Sequence, residues 1–278
     1  MTALEDRISV LIPEEENRKA FSGKPELKLY VRFDNRARNI KDLFIVVSAT
    51  ALPAITDVVR EANESKCLRA IFVRADVDPQ LLPQMMRRAD LRTTRNLLVY
   101  TNEEIPLRVM NAWRLGAEEE LIATAGATPK TLHVINCALE PFEIDFDEIP
   151  PLKGLAPELQ QDFVIEPHGS YVYWKNLDVH LDIESLRYLR EPEYRKNQDR
   201  ARIMHDKEFG RAIAEVRKSC ELKQNEIPGL SERQVRRIEK DGIRPTHASL
   251  CALAKAHGMA IDDYLECLAN QMQPSAES

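Results

Sequence analysis

Between Glu232 and Glu239 the chain reads Glu-Arg-Gln-Val-Arg-Arg-Ile-Glu, a spacing that puts two kinds of chemistry on one helix. Val235 and Ile238 share a face and belong in a core, which turns Glu232, Arg233, Arg236 and Arg237 outward. Arginine's planar fork of N–H donors pairs bidentately with guanine O6 and N7 in the major groove of DNA. Ser231 stands where such a helix needs its N-cap. Gln224 and Ser231, at the starts of successive helical segments, suit the phosphate contacts that set register on a duplex. With Gln234 they complete a candidate DNA-binding set of Gln224, Ser231, Glu232, Arg233, Gln234, Arg236 and Arg237. The plain alternative is a solvated basic face, and the turn, cap and flanking helices around this one argue against it.

Other reactive side chains make weaker constellations. His180, flanked by Asp178 and Asp182, would share one strand face with both aspartates if residues 178–182 alternate, as a metal or acid–base site requires. One histidine with two carboxylates is a poor set, and a solvated strand face explains it equally well. Glu143, Asp145 and Asp147 form a similar acidic stripe, suited to a partner surface or simply an exposed face. No G-x-G-x-x-G, P-loop, H-E-x-x-H or G-x-S-x-G occurs. Cys67, Cys137, Cys220, Cys251 and Cys267 are scattered and make no C-x-x-C, against both a disulfide framework and a zinc site. The expectation is a binding protein with no catalytic residue, metal or cofactor.

The elements that must position the arginines lie around them. Phe209, Ile213 and Val216 mark a first helix. A second begins at Leu222-Lys223-Gln224 and is cut off by Pro228-Gly229. Gly242 and Pro245 end the third, Ala248 to His257 make a fourth, and Ile261, Tyr264, Leu265 and Leu268 a fifth. Over residues 207–270 this resembles the Xre or phage-repressor family of five-helix DNA-binding domains. The carrying residues are Leu222-x-Gln224-x-x-Ile227, Gly229-Leu230-Ser231, Val235-x-Arg237-Ile238-Glu239, Gly242, Pro245 and Leu250-x-x-Leu253-Ala254. The resemblance implies a helix-turn-helix, Gln224 on a phosphate, Glu232, Arg233, Arg236 and Arg237 projecting from helix three, and an ion pair between Arg217 and Glu239. The family has about three more residues between the positions of Ile227 and Gly229, so helix two should here be shorter by nearly a turn.

Upstream, apolar runs at Phe44–Val47, Ile71–Val73 and Leu97–Val99 recur every 26 residues, followed at one offset by Thr50, Asp76 and Asn102, and then by Pro53, Pro79 or Pro106. The segment Leu68-x-x-Ile71-x-Val73-x-x-Asp76 resembles a leucine-rich repeat core. A small α/β domain of three similar β-α units reads the same pattern, and both put parallel strands beside helices. In a solenoid Thr50, Asp76 and Asn102 make a structural ladder; at the carboxyl ends of an open sheet they would line a crevice. From Lys130 the pattern changes to short strands (Leu132 to Cys137, Ser170 to Trp174, Asp178 to Asp182) and a helix from Ile183. Cys137-Ala138-Leu139, Phe142-Glu143-Ile144, the Gly169–Trp174 run and the Asp178–Asp182 run resemble a small bacterial α+β domain that precedes such a helix-turn-helix.

The expected fold class is therefore α/β plus all-α. A β-α repeat-like module spans 1–127, a small α+β module 128–190, a linker 191–204 and a five-helix helix-turn-helix domain 205–272. Net charge is −6, yet Arg217 to Arg244 holds eight basic residues against five acidic, while Ala138 to Glu166 holds eight acidic against one lysine. No apolar run is long enough to span a membrane, and Met1 to Ala20 lacks the basic start and apolar core of a secretory signal, so a cytoplasmic protein is expected. The expected function is that of a DNA-binding transcriptional regulator, a homodimer on double-stranded DNA, with a protein partner or small effector at its N-terminal module. The alternative is an adaptor whose helix-turn-helix binds protein.

Overall fold

The computed structural model describes residues 7–33, 40, 42–78, 80–89 and 96–272. Pro79, the start of the N-terminal segment and the polar tail from Gln273 lie outside the described residues. The chain forms two compact units, 1–190 and 191–278.

The first unit opens with β1 (Ile8–Leu11), α1 (Glu15–Phe21), β2 (Leu27–Tyr30), β3 (Leu43–Ser48), a 3-10 turn with its proline at Pro53, α2 (Thr56–Glu64), β4 (Leu68–Arg74), α3 (Leu82–Arg88), β5 (Leu97–Tyr100) and α4 (Glu104–Leu115). The five strands pair in parallel in the order β2-β1-β3-β4-β5. The 26-residue period is a pairing register, for Ile45 stands beside Ile71 and Ile71 beside Leu97. All six residues of β3 are buried, as a central strand covered on both faces requires. Phe44, Val46, Phe72 and Leu98 pack on one face with Phe21 of α1 and Val109 and Met110 of α4. Ile45, Val47, Ile71 and Val73 pack on the other with Leu52, Val59 of α2 and Ala62. The arrangement is thus a sheet cored on both faces, with strand order turning back at β1. A one-faced solenoid, the leucine-rich reading of the repeat, would cover its strands on one face only, whereas these carry a core on each face.

Two small antiparallel sheets follow. The first is β6 (Ile122–Ala127), β7 (Thr131–Asn136) and β8 (Pro141–Asp145). After α5 (Pro157–Gln161) come β9 (Val164–Ile165), β10 (Val172–Trp174) and β11 (Val179–Leu181), then α6 (Ile183–Arg190). Inward-facing Leu132, Val134, Phe142 and Ile144 meet Val172, Trp174 and Leu186 in one core. The buried Trp174 donates its indole N–H to the Gln160 carbonyl at 2.8 Å, which removes the cost of an unpaired donor.

The second unit is helical: α7 (Pro192–Ser219), a 3-10 turn at Gln224–Glu226, α8 (Glu232–Asp241), α9 (His247–Ala256) and α10 (Ile261–Met272). Residues 192–204 are continuous with α7, which has proline at its first position, where no N–H is needed, and none inside. Ile213, Val216, Val235, Ile238, Leu253, Tyr264 and Leu268 form its core.

Candidate nucleic-acid interface

Helix α8 begins and ends where its side chains say it must. Ser231 Oγ accepts the Gln234 backbone N–H at 3.3 Å, and Gln234 Oε1 accepts the Ser231 N–H at 2.8 Å, a reciprocal capping box. Gly242 closes the helix in the left-handed conformation, φ 67°. Val235, Ile238 and Glu239 are buried, whereas Glu232, Arg233, Arg236, Arg237 and Lys240 are exposed. Among the described residues none of Arg233, Arg236 and Arg237 is paired with a carboxylate. Lys240, one turn beyond Arg236, extends the face by a charge that helical spacing would have found.

Two devices fix α8 to its support. Gly210 of α7 lies so close that a Cβ there would overlap the Ile238 carbonyl oxygen, so the two backbones touch. Arg217 of α7 grips Glu239 in a fork, Nε to Oε1 at 2.6 Å and Nη2 to Oε2 at 2.9 Å, with both residues 8% exposed. The hydrogen bond to Glu239, chiefly, holds the Arg217 guanidinium above its ordinary pKa against the opposing effect of burial. The pair implied by the family resemblance is present.

The structure redirects three of the sequence candidates. Gln224 was expected to meet a phosphate, yet its amide donates to Glu239 Oε2 at 2.7 Å and serves the ion pair. Ser231 and Gln234 are committed to the cap. The shortened second helix is reduced to the single 3-10 turn, because Glu221 takes φ 58° just before it and Pro228-Gly229, with Gly229 at φ 86°, follow it.

The acidic histidine constellation does not assemble. Asp178 adopts φ 51° in a turn before β11, and Asp182 Oδ1 accepts the Ser185 N–H at 2.8 Å at the start of α6. Their alternation with His180 is broken at both ends, and the imidazole stacks on Tyr173, 4.3 Å away and 16° from parallel. Of the three strand-end residues, Thr50 donates to Asp76 Oδ2 at 2.8 Å, a single rung, while Asn102 binds the Glu104 backbone N–H at the start of α4. Among the described residues no helix is long and apolar enough to cross a membrane. Compared with known proteins, the chain matches no family model, no curated protein and no solved structure.

Proposed function

We propose that this chain is a cytoplasmic DNA-binding transcriptional regulator that reads DNA with the exposed face of α8, within a helix-turn-helix domain of residues 205–272. The observation that carries this reading is the unpaired arginine face on a helix capped at both ends and pinned to α7. An α-helix fits the major groove, and a preorganised guanidinium forks onto guanine without first leaving a carboxylate. Neutralising phosphates also releases counterions, so affinity should fall steeply with salt. One ten-residue helix covers a half-site, so a homodimer on double-stranded DNA follows, with the unit 1–190 in an assembly or sensing role.

One observation favours the adaptor reading. The second helix, which crosses the DNA backbone in this kind of domain, is a single 3-10 turn, and Gln224 is diverted into the protein. Selection of bound fragments from a random DNA pool, followed by footprinting, separates the two. Arg233→Ala and Arg237→Ala should each weaken selected sites by about 1–3 kcal/mol and leave folding intact. Equal losses on selected and random DNA would assign these arginines to phosphates. No selected sequence at low salt would reject the regulator.

A further inference from the structure

Helix α4 lays Val109 and Met110 on the five-stranded sheet. Glu104, Arg108, Asn111 and Leu115 recur at helical spacing on a different side of it, and that side lines a cleft of about 410 Å³ within the first unit. Leu121 and the segment from Ile165 to His168 bound the cleft opposite the helix. The volume falls in the range of small-molecule sites, about 300–1,000 Å³.

Arg108 is held in place there. Its Nε donates to the Pro167 carbonyl at 3.2 Å and its Nη1 to the Ala123 carbonyl at 2.8 Å. Gly169 permits this clamp: its φ is 85°, and a Cβ would run into the Ile122 carbonyl and come within 2.8 Å of Arg108 Cδ. Of the guanidinium's five N–H donors the two carbonyls use two, leaving three for a ligand. One turn earlier, Glu104 receives Asn102 Nδ2 on Oε2 at 3.2 Å, and its other oxygen takes no hydrogen bond among the described residues. The cleft therefore sets a fixed cation and a carboxylate one helical turn apart, about 5–6 Å between Cβ atoms, beside an apolar wall.

We propose that this cleft binds an apolar α-amino acid, its carboxylate on the free donors of Arg108, its ammonium on Glu104 and its side chain along Leu115, Leu121 and Ile165. A plain acid would set its carboxylate against Glu104, and a plain amine would face Arg108. The zwitterion satisfies both charges. Leu115, 64% exposed in the free protein, is the edge that the side chain covers. The inference concerns the first unit and stands whether or not α8 meets DNA.

Isothermal titration of the full chain with L-leucine, isocaproate and isoamylamine tests it, since the three share a branched skeleton and carry both charges, the acid alone or the amine alone. Leucine should bind at least about tenfold more tightly than either of the others. Glu104→Gln should bring leucine down to the affinity of isocaproate, and Leu115→Asp, at an exposed position, should weaken it by about tenfold or more. Arg108 also clamps the fold, so it is not the first residue to change. No leucine binding at millimolar concentration, isocaproate binding as tightly as leucine, or leucine binding indifferent to both substitutions would overturn the proposal.

Discussion

Arg217 and Glu239 face each other inside the helical unit, with side chains 10% and 3% exposed, so neither charge has water to fall back on. Glu239→Gln would leave the guanidinium buried without its counter-charge, and the expected loss is about 3–5 kcal/mol, read from thermal or denaturant unfolding. An effect below about 1 kcal/mol would mean that the pair behaves as a surface contact. His257 lies in the same interior, its ring tilted 46° to that of Tyr264 with centroids 5.1 Å apart, and neither ring nitrogen has a hydrogen-bond partner among the described residues. Burial first, and then the Arg217 guanidinium, hold its pKa below the ordinary 6.5, while Glu239 pulls the other way. The folded protein therefore takes up this proton at lower pH than the unfolded chain does. The neutral imidazole's contribution to stability is complete above about pH 6.5 and drains away as the pH falls from there towards the depressed folded value. Melting of the helical unit from about pH 8 to 5 should show this slope, and His257→Asn should flatten it.

At the level of elements, the basic face owes its position to a helix crossing that only glycine allows. Gly210→Ala would push a methyl group into the Ile238 carbonyl and drive α7 away from α8. Overpacking of this kind costs about 1–3 kcal/mol, and here the loss should come with weaker DNA binding even where the variant stays folded. Circular dichroism and affinity measured on the same variant check both halves. A variant as stable as the parent would show that α7 and α8 do not approach so closely in solution. The 3-10 turn before α8 has the same local logic: four residues separate Gln224 from Gly229, too few for another helical turn before the chain reverses.

At the level of the molecule, every core residue of the helical unit lies at or beyond Phe209, and the first half of α7 is mostly exposed. A fragment starting near Met204 should therefore fold into the same helical unit and bind the sites of the full chain more weakly. In the proposed dimer the weakening would follow from losing the pairing of two half-site readers, which effective concentration makes worth about 10²-fold or more. Circular dichroism and footprinting on the fragment measure it. A folded fragment that leaves unprotected the DNA that the full chain protects would move the contact away from α8.

The local features of the candidate site were legible in the residues themselves. Ser231, Gln234 and Gly242 bound α8, and Val235 and Ile238 orient it, because caps and helical faces depend on neighbours within about four positions. The 26-residue period likewise gave the register of β3 to β5. Tertiary contacts decided the rest. Whether that period coils as a solenoid or stops as a doubly covered sheet depends on which helices pack on each face of the strands, and no local pattern encodes this. Gln224 turned inward because Glu239, fifteen residues away, offers its amide a buried carboxylate. His180 lost its aspartates to a turn and a helix start, and the cleft beneath Arg108 exists because a distant segment, Pro167 to Gly169, folds over α4 and β6. Charges and donors are chosen along the chain, but their partners are settled only when folding brings remote segments within about 3 Å.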